Sequence, residues 1–378
     1  MWYQRIWVPF LVSRGLIAFS AICVTQILTQ HEQVIPFPAI EDWPRLLHPV
    51  LFFSDSGFYM WILLHGYVPG PYSAAQQTNW PFFPLYPLLI KGLSSFFQCD
   101  AGWLGILLSN VALLGSLALL HSIVAADWGA VTADTAVWLL ALFPTSYFLS
   151  GFRPEALFLF LTLVAYWEAR HARWWSAGLT GALAAATRPQ GVLLVALLLC
   201  EGIHRHGWRS RQVIPIAGAI GLTGAGLAAF MAYLDMQTGN PIAFVSIQAA
   251  WERELVVPGS ALTAFFAQPY LVAHRGWDLG VTNVPLTLLG LCAGIWLLVL
   301  RQPGLGLYTL ASVLLALSTN TFLGAGRYVA IIFPLYLSLA VWLSRRSPAW
   351  RDAALGLSAG LLALLSLLVA LDVYAARG

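Results

Sequence analysis

The stretch Gly151-Phe152-Arg153-Pro154-Glu155-Ala156-Leu157-Phe158-Leu159-Phe160-Leu161 decides the fold, because two opposite charges stand at the mouth of a run that is otherwise apolar through Trp167. Pro154 suits a first helical turn, and Glu155 beside it favours the positive end of the helix dipole. Helix punctuation therefore explains much of the pattern. A run this poor in charge nevertheless reads as a membrane segment, and ionisable groups at membrane depth are functional candidates.

Outward from this stretch the same economy holds. Of 378 residues 59% are hydrophobic and 9% charged, against about 25% charged in ordinary soluble domains. The mean hydropathy of +0.76 agrees, so the bilayer is the main solvent. Prolines, glycines and arginine clusters divide the chain into apolar segments near 6–28, 82–97, 103–125, 134–150, 155–169, 174–187, 190–203, 212–234, 282–300, 304–320, 328–343 and 350–371. A crossing helix takes about 20 residues, so the shorter segments are tilted, re-entrant or buried. The expected fold is an all-α polytopic membrane bundle of about 11–12 segments, forming a single domain over residues 1–378. Ile6 to Leu28 is too long for a signal-peptide core and is read as a retained first helix.

Charge sorts by loop. Arg5, Arg170, Arg173, Arg205, Arg209, Arg211, Arg301, Arg345, Arg346 and Arg351 sit at short turns or helix ends. Two long stretches, 29–81 and 235–281, hold Glu32, Glu41, Asp42, Asp55, Asp235, Glu252, Glu254 and Asp278 but only Arg45, Arg253 and Arg275. The positive-inside rule puts the arginine turns in the cytoplasm and both long stretches outside. Four candidate helices between Trp80 and Arg170 make the count even, so one is no simple span; the segment after Pro81, Pro84 and Pro87 is the first suspect and the 134–150 and 155–169 pair the second. The net charge of +3, with one lysine (Lys91), is too scattered for a nucleic-acid footprint. Cys23, Cys99, Cys200 and Cys292 signal neither a disulfide framework nor a zinc site.

Several constellations carry chemistry. In Phe52-Phe53-Ser54-Asp55-Ser56-Gly57-Phe58-Tyr59, Asp55 stands at the N-cap of a short interfacial helix running to His65. As a cap it would bond free backbone amides; as an acid among aromatic rings at a membrane surface it would serve as a general base, desolvation raising its proton affinity. Asn79-Trp80-Pro81-Phe82-Phe83-Pro84-Leu85-Tyr86-Pro87 stiffens a loop-to-helix junction, with Trp80 an anchor or a substrate contact. Arg188 and Arg327 lie on the expected outer side, against the charge bias, and call for an anion: a lipid phosphate, or a distant acid such as Glu155 or Asp55. Arg14 lies within the first helix, pairing internally or lining a cavity. Trp251, in Gln248-Ala249-Ala250-Trp251-Glu252-Arg253, presents a ring to a sugar or to the membrane, and Tyr59 and His65 complete the candidate substrate contacts.

These motifs occur in an order that resembles the family of the second mannosyltransferase of glycosylphosphatidylinositol assembly and its prokaryotic relatives, within the GT-C superfamily. The likeness is carried by Asp55-Ser56-Gly57, His65-Gly66-Tyr67, Phe82-Phe83-Pro84-Leu85-Tyr86-Pro87 and Arg153-Pro154-Glu155-Ala156-Leu157-Phe158. It departs at Ser54, where that family carries tryptophan. The resemblance implies an inverting transfer of mannose from a polyprenyl-phosphate donor to a glycolipid or lipid-linked acceptor, without cofactor or metal. It implies that Asp55 and Glu155 are the catalytic acids; Arg188, Arg327 and then Arg153 are candidates to meet the donor phosphate. The expected location is a prokaryotic plasma membrane with the site outside, or the endoplasmic reticulum with the site in the lumen. A lipid or solute transporter and a non-catalytic glycolipid-binding subunit remain the alternatives.

Overall fold

The computed structural model describes residues 3–29, 43–207, 211–267, 279–322 and 324–371. Glu32, Glu41, Asp42, Arg209, Arg275 and Asp278, used above to sort the charges, lie outside the described residues. The helices in order are α1 (Gln4–Thr29), α2 (Trp43–Leu51), α3 (Ser56–His65), α4 (Leu85–Phe97), α5 (Ala101–Trp128), α6 (Ala130–Ala141), α7 (Glu155–Arg170), α8 (Trp174–Thr187), α9 (Leu194–His206), α10 (Val213–Thr238), α11 (Ala243–Ser246), α12 (Ser260–Ala267), α13 (Leu279–Val299), α14 (Pro303–Ala316), α15 (Ala325–Ala330), α16 (Phe333–Ser344) and α17 (Pro348–Ala370). Among the described residues the only extended pairing is an isolated bridge between Leu255 and Thr319. Five helices contain spans long and apolar enough to cross a bilayer: Gln4–Val24, Ala101–Trp128, Val213–Thr238, Thr282–Val299 and Pro348–Ala370.

The remaining segments are shorter because their sequence interrupts them. The segment expected at 134–150 ends as α6 at Ala141 and resumes as a 3-10 turn, Ser146–Leu149. The α8 helix stops at Thr187, Arg188 is fully extended, and Pro189 opens a second 3-10 turn. The late segment divides into α15 and α16 around Ile331 and Ile332. Backbone left unpaired by such breaks is tolerated at membrane depth only where protein or a cavity surrounds it. All three breaks meet at one place, and each supplies an arginine or a glutamate there.

The two ends of the bundle differ in charge. At one end Asp127, closing α5, pairs with Arg170, closing α7, while Asp134 on α6 pairs with Arg5. At the other end Ser109 of α5 bonds the Arg153 carbonyl, and Tyr86 of α4 bonds Gly105 and Ser109. Thus α5 and α7 each run from the cluster end of the bundle to the Asp127–Arg170 end, while α4 and α6 are apolar helices shorter than a span. Close contact fixes this arrangement: a side chain at Gly105 would lie 2.4 Å from the Phe152 ring.

Candidate active site

The three breaks and the α2–α3 turn bring Asp55, Arg153, Glu155, Arg188 and Arg327 into one cluster. Asp55 precedes α3, yet its carboxylate makes no capping bond. Instead Oδ2 accepts a hydrogen bond from Arg327 and lies 3.1 Å from Arg153 Nη2. Glu155 likewise opens α7 without capping it: Oε1 accepts from Arg188 Nη1 at 2.6 Å and sits 3.6 Å from Arg327 Nε. Arg153 Nε is 3.8 Å from Glu155 Oε2. The acids are thus not spent on helix ends, and the arginines on the expected outer side have found the distant acids.

Charge in this cluster does not balance. Three guanidinium groups face two carboxylates in a volume where Arg153 is 0%, Glu155 1%, Arg188 6% and Arg327 8% exposed. Burying an unmatched cation is costly, and ring faces offset part of the cost. Arg153 lies over Phe53 at 4.7 Å and Phe148 at 4.9 Å; Arg188 lies over Tyr328 at 5.0 Å. Arg153 is held by charge and rings alone, since none of its side-chain nitrogens is aligned for a hydrogen bond. Arg188 is steadied further by Gln190, which accepts from Nε at 3.1 Å. Arg327 Nε and Glu155 Oε2 are buried without a hydrogen-bond partner, polar atoms that native interiors seldom leave so.

Arg14 braces the cluster from α1. Its two terminal nitrogens donate to Ser146 Oγ and Ser150 Oγ, both at 2.6 Å, and to the Ser146 and Ala141 carbonyls. That fixes the 3-10 turn carrying Phe148, the ring shared by Arg153 and Arg327.

A cavity of about 370 Å³ opens beside the cluster. Asp55, Tyr59, Arg188, Trp251 and Arg327 line it, together with Tyr328 and Arg253. Arg153 and Glu155 lie behind that surface. Burial pushes the Asp55 carboxyl up, but Arg327 and then Arg153 more than offset it, holding the group well below the usual carboxylate range. The desolvated, high-affinity base expected from the aromatic surroundings is therefore corrected to an arginine-bound carboxylate. His65 and Trp80 do not line the cavity. His65 is exposed with its ring against Trp61, and Trp80 is buried, its indole donating to the Val68 carbonyl at 2.9 Å.

Sequence reading named Phe58 beside Asp55 but assigned no part in the site to Phe82, Phe83 or Phe244, which line the cavity with it. Phe82 and Phe83 carry a signal in retrospect: they sit between Pro81 and Pro84, where the stiff junction aims them. Arg253 had only its place beside Trp251. It reaches the cavity because the bridge at Leu255 and the bond from Asn320 N to the Glu254 carbonyl fasten this segment to the end of α14.

Fold and site together define a polytopic helical bundle with an acid and cations gathered at one end. The archaeal oligosaccharyltransferase of Archaeoglobus fulgidus, solved with zinc and sulfate, superposes with a TM-score of 0.50 at 13% identity, covering 93% of this chain and 53% of that one. In sequence the chain is similar to GPI alpha-1,6-mannosyltransferase 2 of Rattus norvegicus, 34% identical over 168 residues, and of Mus musculus, 33% identical over 171 residues. Each match takes in 39% of this chain, which spans about a third (31%) of the length of these curated relatives. No family model matches the chain.

Proposed function

We propose that the chain is an inverting glycosyltransferase that moves mannose from a polyprenyl-phosphate donor to a hydroxyl of a glycolipid or lipid-linked acceptor. The single observation that carries this reading is that Asp55 faces the same cavity as Arg188 and Arg327. A base and a cationic pair suited to phosphate thereby address one volume. Mannose is the sugar named for the curated relatives.

In the transfer, the acceptor hydroxyl gives its proton to Asp55 as its oxygen bonds to the anomeric carbon. On the opposite face the bond from that carbon to the phosphate oxygen breaks. Its electron pair leaves with the polyprenyl phosphate, which gains one negative charge. Arg188 and Arg327 meet that charge where it develops, the arrangement that lowers a barrier most. Glu155, behind the cavity surface, acts through Arg188 as a positioning residue, and Arg153 does the same for Asp55. This reading calls for no divalent cation, since no nucleotide leaves and the arginines meet the charge of the departing phosphate.

The site faces the outside of a prokaryotic plasma membrane in this reading, as the positive-inside rule assigns the Arg170–Arg173 turn, at the opposite end, to the cytoplasm. The test is transfer of radiolabelled sugar from a polyprenyl-phosphate mannose to a glycolipid by the purified protein. Label in the acceptor, lost in Asp55→Asn, is the expected result. Binding of donor without transfer by the wild-type chain overturns the reading in favour of a transporter or a glycolipid-binding subunit.

A further inference from the structure

Tyr328 lines the cavity with Arg188 and Arg327, and its ring meets both: Arg188 lies over it at 5.0 Å and Arg327 at 5.5 Å. The transfer described above gives it no task. A bare ring is enough to offset the burial of a guanidinium, and behind the cavity phenylalanine does this. Phe53 and Phe148 lie against Arg153, and neither borders the cavity. At the cavity wall the ring carries a hydroxyl.

Local structure holds this ring in place. Tyr328 stands on α15, a six-residue helix outside the five long apolar spans, preceded by Gly324 with a left-handed backbone, φ of 79°. The Gly326 carbonyl accepts from Thr145 Oγ1 at 3.0 Å, and the Gly326 N–H donates to Asn283 Oδ1 at 2.9 Å. A side chain at Gly326 would lie 2.6 Å from that Asn283 oxygen, so α15 is seated against α13 with no room to spare. The charged groups around the phenol are Arg327 on α15 itself, Arg253 on the segment after α11, Arg188 after α8 and Asp55 before α3. Burial pushes the phenol up, but Arg327, then Arg253 and Arg188, more than offset it and bring it down to about 8. A phenol so placed is neutral at pH 7 and a strong hydrogen-bond donor, because the cations favour negative charge on its oxygen.

We infer that Tyr328 is a third donor to the phosphate: its hydroxyl hydrogen-bonds the oxygen that gains charge as the bond to the anomeric carbon breaks. The inference rests on the transfer reading above and deepens it by adding a catalytic residue and a pH limit. The phenol keeps its proton throughout; the acceptor's proton still goes to Asp55, and the electron pair still leaves with the phosphate. A neutral donor adds a hydrogen bond where two arginines converge without adding a cation to a cluster that already holds a surplus. At higher pH the group reverses its effect. The phenolate has no proton to donate and repels phosphate, so affinity falls as pH rises through about 8.

The experiment uses the full chain in nanodiscs of neutral lipid and measures binding of geranyl phosphate from pH 7.5 to 9, where the probe stays a dianion. Wild type should bind it saturably and lose about 10-fold over that interval, as one proton must stay on the phenol. Tyr328→Phe keeps the ring. It should bind about 10-fold more weakly at pH 7.5, with the pH dependence gone. Its turnover at saturating donor should fall about 100-fold, because charge on the phosphate grows as the bond breaks. Asp127→Asn, at the far end of the bundle, should match wild type throughout. Thermal unfolding midpoints confirm that each variant folds, and the wild-type pH series stands by itself where Tyr328→Phe does not fold. Wild-type affinity that is flat from pH 7.5 to 9, or a Tyr328→Phe variant with wild-type affinity or an unaltered pH dependence, overturns the proposal. The two readings fail separately. Phosphate binding with this pH limit but no sugar transfer retires the transfer reading and keeps an anion site that uses Tyr328. Transfer by Tyr328→Phe with the wild-type rate and pH profile retires the role of Tyr328 alone.

Discussion

Arginine meets carboxylate at both ends of the bundle, with opposite consequences. At the far end Arg170 grips Asp127 through two hydrogen bonds of 2.7 and 2.6 Å, and Arg5 reaches Asp134 at 2.9 Å; each acid has its cation, and all four side chains are partly open to solvent. In the cluster by the cavity, three arginines share two carboxylates among buried rings. The far pairs are complete and screened, and they close helix ends. The near cluster holds a surplus of positive charge beside the cavity, the feature on which the proposed contact with the donor phosphate rests.

The largest effect that separates the two regions is expected at Asp55. Asp55→Asn keeps the shape but removes the proton acceptor, and turnover should drop about 10³-fold with donor affinity retained. Wild-type turnover in that variant would return Asp55 to a structural role.

Glu155→Gln comes next. It leaves Arg188 buried beside a neutral amide, and breaking a buried pair costs about 3–5 kcal/mol. A fall in the unfolding midpoint together with a raised donor KM is expected. A variant with unchanged stability and KM would show that the Glu155–Arg188 pair positions nothing.

The third prediction is a shift in pH dependence. Asp55 is held ionised well below the ordinary range, chiefly by Arg327 against burial. Its stabilising contribution is therefore present above about pH 4, the unfolded value, and is lost as pH falls through the depressed folded value. Arg327→Gln removes the stronger cation, so the acid limb of kcat/KM should move to higher pH. An acid limb that stays in place would mean Arg327 does not govern the carboxylate.

Asp127→Asn should have the smallest effect. A partly exposed pair is worth about 0–1 kcal/mol, so stability should change little and turnover not at all. A large loss of transfer would erase the distinction between the two ends.

The fold was legible because membrane helices write themselves in composition: scarce charge, long apolar runs and arginines confined to short turns. The late start of α4 was also legible, since Pro81 and Pro84 leave it to begin at Leu85. At the site, Asp55, Glu155, Arg188 and Arg327 stood out because charge is rare in this chain, and proximity in space was the missing term. Sequence could not show that Arg153 and Glu155 lie behind the cavity surface, nor that the arginines turn Asp55 from a raised carboxyl into a lowered one. Both depend on where three helix breaks meet. The aromatic wall was hidden for the opposite reason: phenylalanine is so common here that no single one is conspicuous.

The surplus of positive charge is the centre of this account, and binding of a short-chain prenyl phosphate to the purified protein tests it most directly. Wild type should bind it saturably and Asp127→Asn should match, while the double variant Arg188→Gln, Arg327→Gln should lose at least about 100-fold, as expected when charge-assisted bonds to phosphate are removed. Equal affinity in the double variant and wild type would contradict the account.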